Sequence, residues 1–261
     1  MDLGIQNKTA LVLGGGGGLG RAIAQALARE GACVAVAGIH LKSVEATADA
    51  LEAFGVKRMS LAWDLADLSV IDGNVTKIEA ELGPVDILVN ITGGPPPTPA
   101  SGQETALWLN QFQAMVLSVI AITDRVLPKM RERRWGRIIT STSSGIIAPI
   151  PNLGLSNTLR MSLAGWSKTL AREAARDRIT ANVIVPGRIA TDRVRFLDES
   201  RAKREGRSVE EITAESERSI PAGRYGRPEE YGDAVAFLAS ERAAYITGSV
   251  VRVDGGMIAS I

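Results

Sequence analysis

Several residue types are scarce in this chain. Its 261 residues include one cysteine, Cys33, and one histidine, His40. A lone cysteine excludes an internal disulfide and a thiolate metal site, and a lone histidine excludes a multi-histidine metal centre. Only three tyrosines are present, Tyr225, Tyr231 and Tyr245. An excess of charge is also missing, because 30 basic and 29 acidic residues give a formal net charge of +1, which argues against nucleic acid or an anionic membrane as the main partner.

Long apolar runs are missing as well. Glycines or charged residues interrupt the apolar stretches short of the roughly 20 residues that a membrane helix needs. The first residues, 1–9, lack the basic and then apolar pattern of a signal region. We therefore expect a soluble cytoplasmic protein that acts on a small-molecule substrate, with no membrane and no nucleic acid partner.

Strand-like and helix-like patterns alternate along the whole chain. Residues 85–90 are nearly all apolar, which is typical of a strand covered on both faces. Similar runs predict seven strands, at 8–13, 33–37, 58–62, 85–90, 136–142, 179–185 and 249–253. Helical spacing predicts six helices, at 20–30, 41–54, 68–82, 104–133, 155–176 and 229–238. No linker divides the chain, so residues 1–261 are expected to form a single α/β domain, a Rossmann-type doubly wound parallel sheet of seven strands with helices on both faces.

Two stretches interrupt this alternation. Residues 93–99 (GGPPPTP) follow the fourth predicted strand, at the carboxyl edge where such sheets bind ligands. Residues 192–221 follow the sixth strand and hold seven basic and eight acidic residues. We interpret 192–221 as a lid-like insertion over the site. The alternative is a helical excursion on the surface with solvated charges.

A glycine-rich loop joins the first strand to the first helix. Residues 14–20 read GGGGGLG and contain the spacing Gly14-xxx-Gly18-x-Gly20. A diphosphate can approach such a loop closely because side chains are absent, and the following helix offers free N–H groups and the positive end of its dipole. This pattern predicts a dinucleotide site at Gly14, Gly18, Leu19 and Gly20. A flexible turn is the alternative.

The residues after the second strand bear on the choice of cofactor. An acidic residue there would bind the ribose hydroxyls of NAD and repel the 2′-phosphate of NADP. Residues 37–42 contain no acid, so NADP is preferred over NAD, with His40 and Lys42 as candidate neighbours of the 2′-phosphate and Ile39 also at the cofactor. For His40 an exposed loop histidine without a ligand is the alternative. Asp64 and Leu65, after the third strand, are expected near the adenine.

Taken together, these motifs resemble the short-chain dehydrogenase/reductase family, and most closely its oxoacyl-carrier-protein reductases. The resemblance covers the whole chain and rests on the glycine loop, Asp64, NITG at 90–93, GRIITSTS at 136–143, NVIVPGRIAT at 182–191 and the segment 226–256. It implies an NAD(P)-dependent oxidoreductase for a small carbonyl or alcohol substrate. It also implies cofactor contacts at six further positions, Asn90, Gly93, Pro186, Gly187, Ile189 and Thr191. Plain turns are the alternative for Asn90 and for Pro186-Gly187.

The resemblance fails at the family's catalytic residues. Its serine corresponds to Ser143, but Ser156 stands at the position of its tyrosine, Arg160 at its lysine and Met115 at its asparagine. No Tyr-x-x-x-Lys motif exists anywhere in the chain. A serine is too short and too weak an acid to replace the phenol, whereas an arginine holds a fixed positive charge and binds cofactor or an oxyanion.

Three functions remain open from these observations. The first is an oxidoreductase with a non-standard proton-transfer site at Ser143, Ser156 and Arg160, in which Ser143, Arg160 and water, or a substrate group, replace the tyrosine. The second is a non-redox enzyme on the same fold, similar to lyases or dehalogenases. The third is a catalytically silent dinucleotide-binding subunit.

The resemblance also implies an assembly. Members of the family form homotetramers through the long fourth and fifth predicted helices and the last strand. Residues 107–126 and 155–170 carry enough apolar side chains to cover both the sheet and a partner helix. The alternative is that both apolar faces are buried within one monomer.

Overall fold

One parallel sheet organises the chain, whose computed structural model describes all 261 residues. Its strands are β1 (Thr9–Leu13), β2 (Cys33–Gly38), β3 (Arg58–Ala62), β4 (Val85–Ile91), β5 (Gly136–Ser141), β6 (Ile179–Pro186) and β7 (Val250–Val253). They pair in parallel in the order β3-β2-β1-β4-β5-β6-β7. The predicted fold, a single-domain Rossmann-type sheet of seven parallel strands, is confirmed.

Nine helices surround the sheet where the sequence predicts six. They are α1 (Gly18–Arg29), α2 (Leu41–Ala50), α3 (Ile71–Leu82), α4 (Thr105–Phe112), α5 (Ser118–Arg133), α6 (Gly154–Ala174), α7 (Asp192–Glu205), α8 (Val209–Arg218) and α9 (Pro228–Leu238). Two of the additional helices, α7 and α8, lie in the 192–221 segment. The third arises because a π-helical turn, Gln113–Leu117, divides the predicted helix 104–133. Helical periodicity in the sequence does not reveal this turn, since apolar residues continue through it.

Helices cover both faces of the sheet. Alternate residues of β1 point to opposite sides, with Val12 in a core shared with α1 and α9, and Leu11 in a core shared with α3 and α5. Ile23 and Tyr231 are fully buried on the first side, and Ile122 is fully buried on the second. This two-sided burial explains why the strands read as continuous apolar runs.

The stretch Thr105–Arg133 departs from one sequence-based expectation. By length and composition it passes the test for a membrane-spanning helix, with a mean hydropathy of 1.4 in its most apolar window. The predicted interruption of apolar runs is therefore wrong for this stretch. Its inward residues, among them Ile122 and Val126, pack against the sheet, whereas Leu109 and Phe112 are exposed.

The strand order locates a crevice at the carboxyl edge. β1 lies between β2 and β4, so the chain leaves β1 to one side and later returns to the other. At such a topological switch point the loops after the two central strands separate and leave space for a ligand. The loops after β1 and β4, at residues 14–17 and 92–104, therefore border the candidate site.

Candidate functional site

The glycine loop packs too closely for side chains. Gly14 has a φ of 66°, and a Cβ there would lie 2.6 Å from the carbonyl oxygen of Ile91, at the end of β4. A Cβ on Gly20 would lie 2.3 Å from the carbonyl oxygen of Gly14. The loop is thereby held between β1 and β4, at the crevice.

The amino end of α1 is open to a ligand. No side chain caps this helix, and its first turn contains no acidic residue. Its first N–H groups and the positive end of its dipole are therefore available to an anion. Both observations fit the diphosphate of a dinucleotide, which Gly18, Leu19 and Gly20 would hold through their backbone.

Thr191 closes the loop from the other side. A Cβ on Gly18 would lie 2.7 Å from Cγ2 of Thr191. The hydroxyl of Thr191 accepts the N–H of Val194 at 3.4 Å and caps α7. The segment 192–221 consequently begins directly beside the glycine loop.

The residues predicted on the adenosine side lie at the carboxyl ends of β2 and β3. Ile39 is 62% exposed, and His40 is an exposed residue at the start of α2. Asp64 is exposed, and its carboxylate accepts the N–H of Ala66 at 2.9 Å. Leu65 is partly buried against the core beneath. The edge therefore presents no carboxylate directly after β2.

Arg160 lies on α6 and is buried, with 8% of its surface exposed. Its Nε donates to Oγ of Ser156 at 3.3 Å, its Nη1 to Oγ1 of Thr92 at 3.4 Å, and its Nη2 to the carbonyl oxygen of Gly93 at 2.9 Å. All three acceptors are uncharged. Ser156 and Arg160 are thus brought together one helical turn apart, beside the loop after β4.

Burial changes the acidity of this guanidinium. Loss of solvent lowers the pKa of Arg160 to about 10, and the positive charge of Arg193 acts in the same direction. The side chain still carries its charge at neutral pH. A buried cation that has no carboxylate partner is costly, so its retention points to an anion supplied from outside the chain.

Ser143 follows the last residue of β5 by two positions and makes no hydrogen bond to Ser156 or Arg160. Its Oγ accepts the N–H of Gly145 at 3.2 Å and caps the short turn Ser144–Ile146. Its hydroxyl proton therefore remains available to a ligand. Asn157 holds the rest of this loop by donating to the carbonyl oxygen of Ile150 at 2.9 Å.

Met115 lies in the π-helical turn, with 2% of its surface exposed. It packs in an apolar cluster with Leu155 and Leu159 of α6. The surroundings of Met115 are therefore apolar.

Several buried side-chain atoms without a hydrogen-bond partner lie at the same edge of the sheet. Asn90 is fully buried and donates to Oγ1 of Thr140 at 3.3 Å, but its Oδ1 has no partner. The hydroxyls of Thr98 and Thr142 are also buried without a partner. Buried polar groups are rarely left unpaired, so these atoms are consistent with a polar ligand at this edge.

The turn after β6 completes the crevice. A Cβ on Gly187 would lie 2.6 Å from Cα of Asp254, so only glycine fits there. Pro186 is the last residue of β6 and is partly buried. Ile189 is buried and pairs with Gly226 across an isolated bridge. Beside it lies a cavity of about 390 Å³.

Two side chains near this site, those of Asp198 and Arg193, were not predicted from the sequence. Asp198 of α7 is buried and accepts from Nη1 of Arg188 at 2.6 Å and from the hydroxyl of Tyr225 at 2.7 Å, so it fastens α7 to the turn after β6. Arg193 follows Thr191 by two residues, and this position at the start of the predicted lid is a signal that could have identified it. Nothing in the sequence indicates that Asp198 is buried.

The fold and the crevice define a dinucleotide-binding protein of the Rossmann type. The model of the family described as enoyl-(acyl carrier protein) reductase matches residues 15–258. The chain therefore belongs to the short-chain dehydrogenase/reductase family, and the predicted class, NAD(P)-dependent oxidoreductases of this family, is confirmed.

Individual relatives agree with this assignment. The chain is 38% identical over 258 residues to the 3-oxoacyl-[acyl-carrier-protein] reductase FabG of Escherichia coli, covering 98% of this chain and 99% of that protein. It is 37% identical over 254 residues to nodulation protein G of Azospirillum brasilense, covering 97% and 99%. The structure of L-sorbose reductase from Gluconobacter frateurii, complexed with NADPH and L-sorbose, has a TM-score of 0.94 to this chain at 31% identity, and each chain is fully covered.

Proposed function

We propose that the chain is an NAD(P)-dependent oxidoreductase for a small carbonyl or alcohol substrate, and that it works with a non-standard proton-transfer site. One observation carries this proposal, the buried guanidinium of Arg160 held beside the loop after β4 with only neutral partners. Ser156 and Arg160 would occupy the places of the family's tyrosine and lysine. A site of this kind favours stabilisation of an oxyanion over delivery of a proton.

The cofactor would lie along the carboxyl edge of the sheet. Gly14, Gly18, Leu19 and Gly20 would hold its diphosphate through backbone N–H groups and the dipole of α1. The remaining contacts are proposed from Ile39, His40, Asp64, Leu65, Asn90, Gly93, Arg160, Pro186, Gly187, Ile189 and Thr191. When bound, the nicotinamide supplies or accepts a hydride.

Side chains of the site would bind the substrate oxygen and stabilise its charge. Ser143 would hold the substrate oxygen by a hydrogen bond from its free hydroxyl, without giving up the proton. Arg160 would stabilise negative charge that develops on that oxygen during reduction. Neither Ser156 nor Arg160 releases a proton readily at neutral pH, so water at the site or a substrate group would supply it.

NADP is the preferred form of the cofactor in this proposal. The edge after β2 carries exposed His40 and Lys42 and no carboxylate that would repel a 2′-phosphate. We expect NADPH to bind more tightly than NADH, and parallel titrations followed by fluorescence would measure the difference. Tighter binding of NADH would contradict this part of the proposal.

Two features of the assembled site are also proposed. The segment 192–221, as α7 and α8, would act as a lid, since it begins at the glycine loop and is fastened by Asp198. A homotetramer would cover exposed apolar residues of the two long helical segments, which are Leu109, Phe112, Leu117 and Met161. A light-scattering mass of one chain in dilute solution would refute the tetramer.

The function is tested by binding and turnover measured on the same preparation. We expect saturable NADPH binding and oxidation of NADPH with at least one member of a panel of ketones and aldehydes, or the reverse reaction with alcohols. NADPH binding without turnover on a broad panel would favour a silent subunit. Substrate conversion without any change in cofactor absorbance would indicate a non-redox enzyme.

A further inference from the structure

Two arginines converge on one point at the entrance of the site. A Cβ built on Gly94 would lie 3.8 Å from Nη2 of Arg160 and 3.9 Å from Nη2 of Arg193. The first arginine comes from α6 and the second from the start of α7, so the tertiary structure alone brings them together. Gly94 itself is exposed, and apart from its chain neighbours no other heavy atom lies within 4 Å of this Cβ position.

No acidic side chain neutralises this pair. Arg160 donates only to hydroxyls and a backbone carbonyl. Arg193 is exposed and packs over the ring of Phe196 at 5.8 Å, whereas its neighbours Asp192 and Asp198 pair with Arg195 and Arg188. Two like charges held near one point repel each other, and an anion between them removes that repulsion.

The geometry selects the kind of anion. Guanidinium groups match the two oxygens of a carboxylate or phosphate with paired N–H donors. The backbone of residues 93–94 forms one wall of this point, and Ser156 adjoins the same guanidinium through Nε of Arg160. The glycine loop and the amino end of α1 already provide a separate place for a diphosphate.

We propose that Arg160 and Arg193 form a carboxylate-binding site over Gly94, and that the substrate of this chain is a carbonyl or alcohol compound bearing a carboxylate group. This inference rests on the proposed function, because it names the substrate class for the same site. The carboxylate would neutralise the buried charge of Arg160 and orient the reacting carbon toward Ser143.

The first experiment measures anion binding to the chain without cofactor. Calorimetric titration with oxalate, in a low-salt buffer free of other carboxylates and phosphates, is expected to show saturable binding. Oxamide, which has a similar shape but no charge, is expected not to bind. Absence of oxalate binding, or equal binding of the two compounds, would overturn the proposal.

One variant and a matched control locate the bound oxalate. Arg193→Gln is expected to weaken oxalate binding about tenfold or more, which is the change that about 1.4 kcal/mol produces. Arg195→Gln is the matched control, because this arginine is exposed on the same helix and pairs with Asp192, and its oxalate affinity should stay within about twofold. If the two variants weaken oxalate binding equally, the anion is not at Arg193.

Gly94→Ala tests the position without removing a charge. The added methyl group meets both Nη2 atoms at ordinary contact distance and thus fits the fold, but it occupies the space proposed for the anion. Weaker oxalate binding with unchanged thermal stability would support the site. Unchanged oxalate binding in this variant would refute its placement.

Pyrophosphate separates a substrate carboxylate from the phosphates of the cofactor. If it binds more tightly than oxalate, competes with it and depends on Arg193, then the arginine pair serves the cofactor and the proposal fails. NADPH binding and turnover on uncharged ketones test the proposed function independently. An enzyme that reduces such ketones with NADPH but does not bind oxalate would retain the proposed function and lose this inference.

Discussion

Replacing Arg160 by methionine is expected to remove ligand binding without destabilising the fold. A pKa lowered from 12.5 to about 10 means that the folded chain holds the charged form about 3 kcal/mol less favourably than water does. For a cation whose pKa is lowered by folding, this cost applies at every pH below the folded value, including pH 7. Methionine keeps much of the side-chain length and removes the cost.

The lost hydrogen bonds offset part of this gain. Only the bond to the carbonyl oxygen of Gly93 is short, and that residue is exposed, so water can replace the donor. The bonds to Thr92 and Ser156 are long, and an unpaired buried hydroxyl costs about 1–3 kcal/mol. Because both bonds are long, we count about one such penalty in total, and the free energy of unfolding is expected to be unchanged or to rise by up to about 2 kcal/mol.

Arg137→Met is the matched control, because Arg137 is also buried but makes three hydrogen bonds to backbone carbonyl oxygens. Its guanidinium donates to the carbonyl oxygens of Gly136, Arg178 and Ser240 at 2.9, 3.2 and 3.0 Å, and lies 4.4 Å from the ring centre of Trp135. Loss of these contacts is expected to lower the free energy of unfolding by about 2–4 kcal/mol.

Urea denaturation measures both variants, provided that the slope with denaturant is unchanged. NADPH and oxalate titrations on the same preparations should show binding lost in Arg160→Met. A decrease in unfolding free energy above about 2 kcal/mol in Arg160→Met, as large as in the control, would refute the reasoning. Arg160 would then be a structural arginine.

Three further predictions concern the catalytic positions and the lid. The triple variant Met115→Asn, Ser156→Tyr and Arg160→Lys should raise ketone reduction by NADPH above the wild-type rate, and no increase would show that other positions have diverged. Asp198→Asn should raise KM more than it lowers kcat, because it releases α7, and an unchanged KM measured in steady-state assays would contradict the lid. Arg201 and Arg207 lower the pKa of Glu215 from 4.5 to about 2, so the stabilisation of the contact between α7 and α8 should be complete above about pH 4.5 and decline progressively as pH falls toward 2; hydrogen exchange of residues 192–218 that does not change over this range would contradict this role of Glu215.

Local patterns in the sequence were enough to predict the fold. Strands buried on both faces must be apolar throughout, and the helices between them repeat their apolar residues every three or four positions, so both kinds of element can be read residue by residue. The glycine loop is also local, because Gly14 and Gly20 contact one another within a single strand-to-helix turn. The π-helical turn around Met115 was not predictable, since it adds a residue to a helix without interrupting its apolar composition.

The composition of the site was visible in the sequence, but its arrangement was not. Matching the motifs predicts Ser156 and Arg160 as departures from the family. That Arg160 is buried without a carboxylate and that Arg193 approaches the same point over Gly94 depend on how α6, α7 and the loop after β4 meet in space. The energy of a charge depends on its solvent and its neighbours, and tertiary packing determines both.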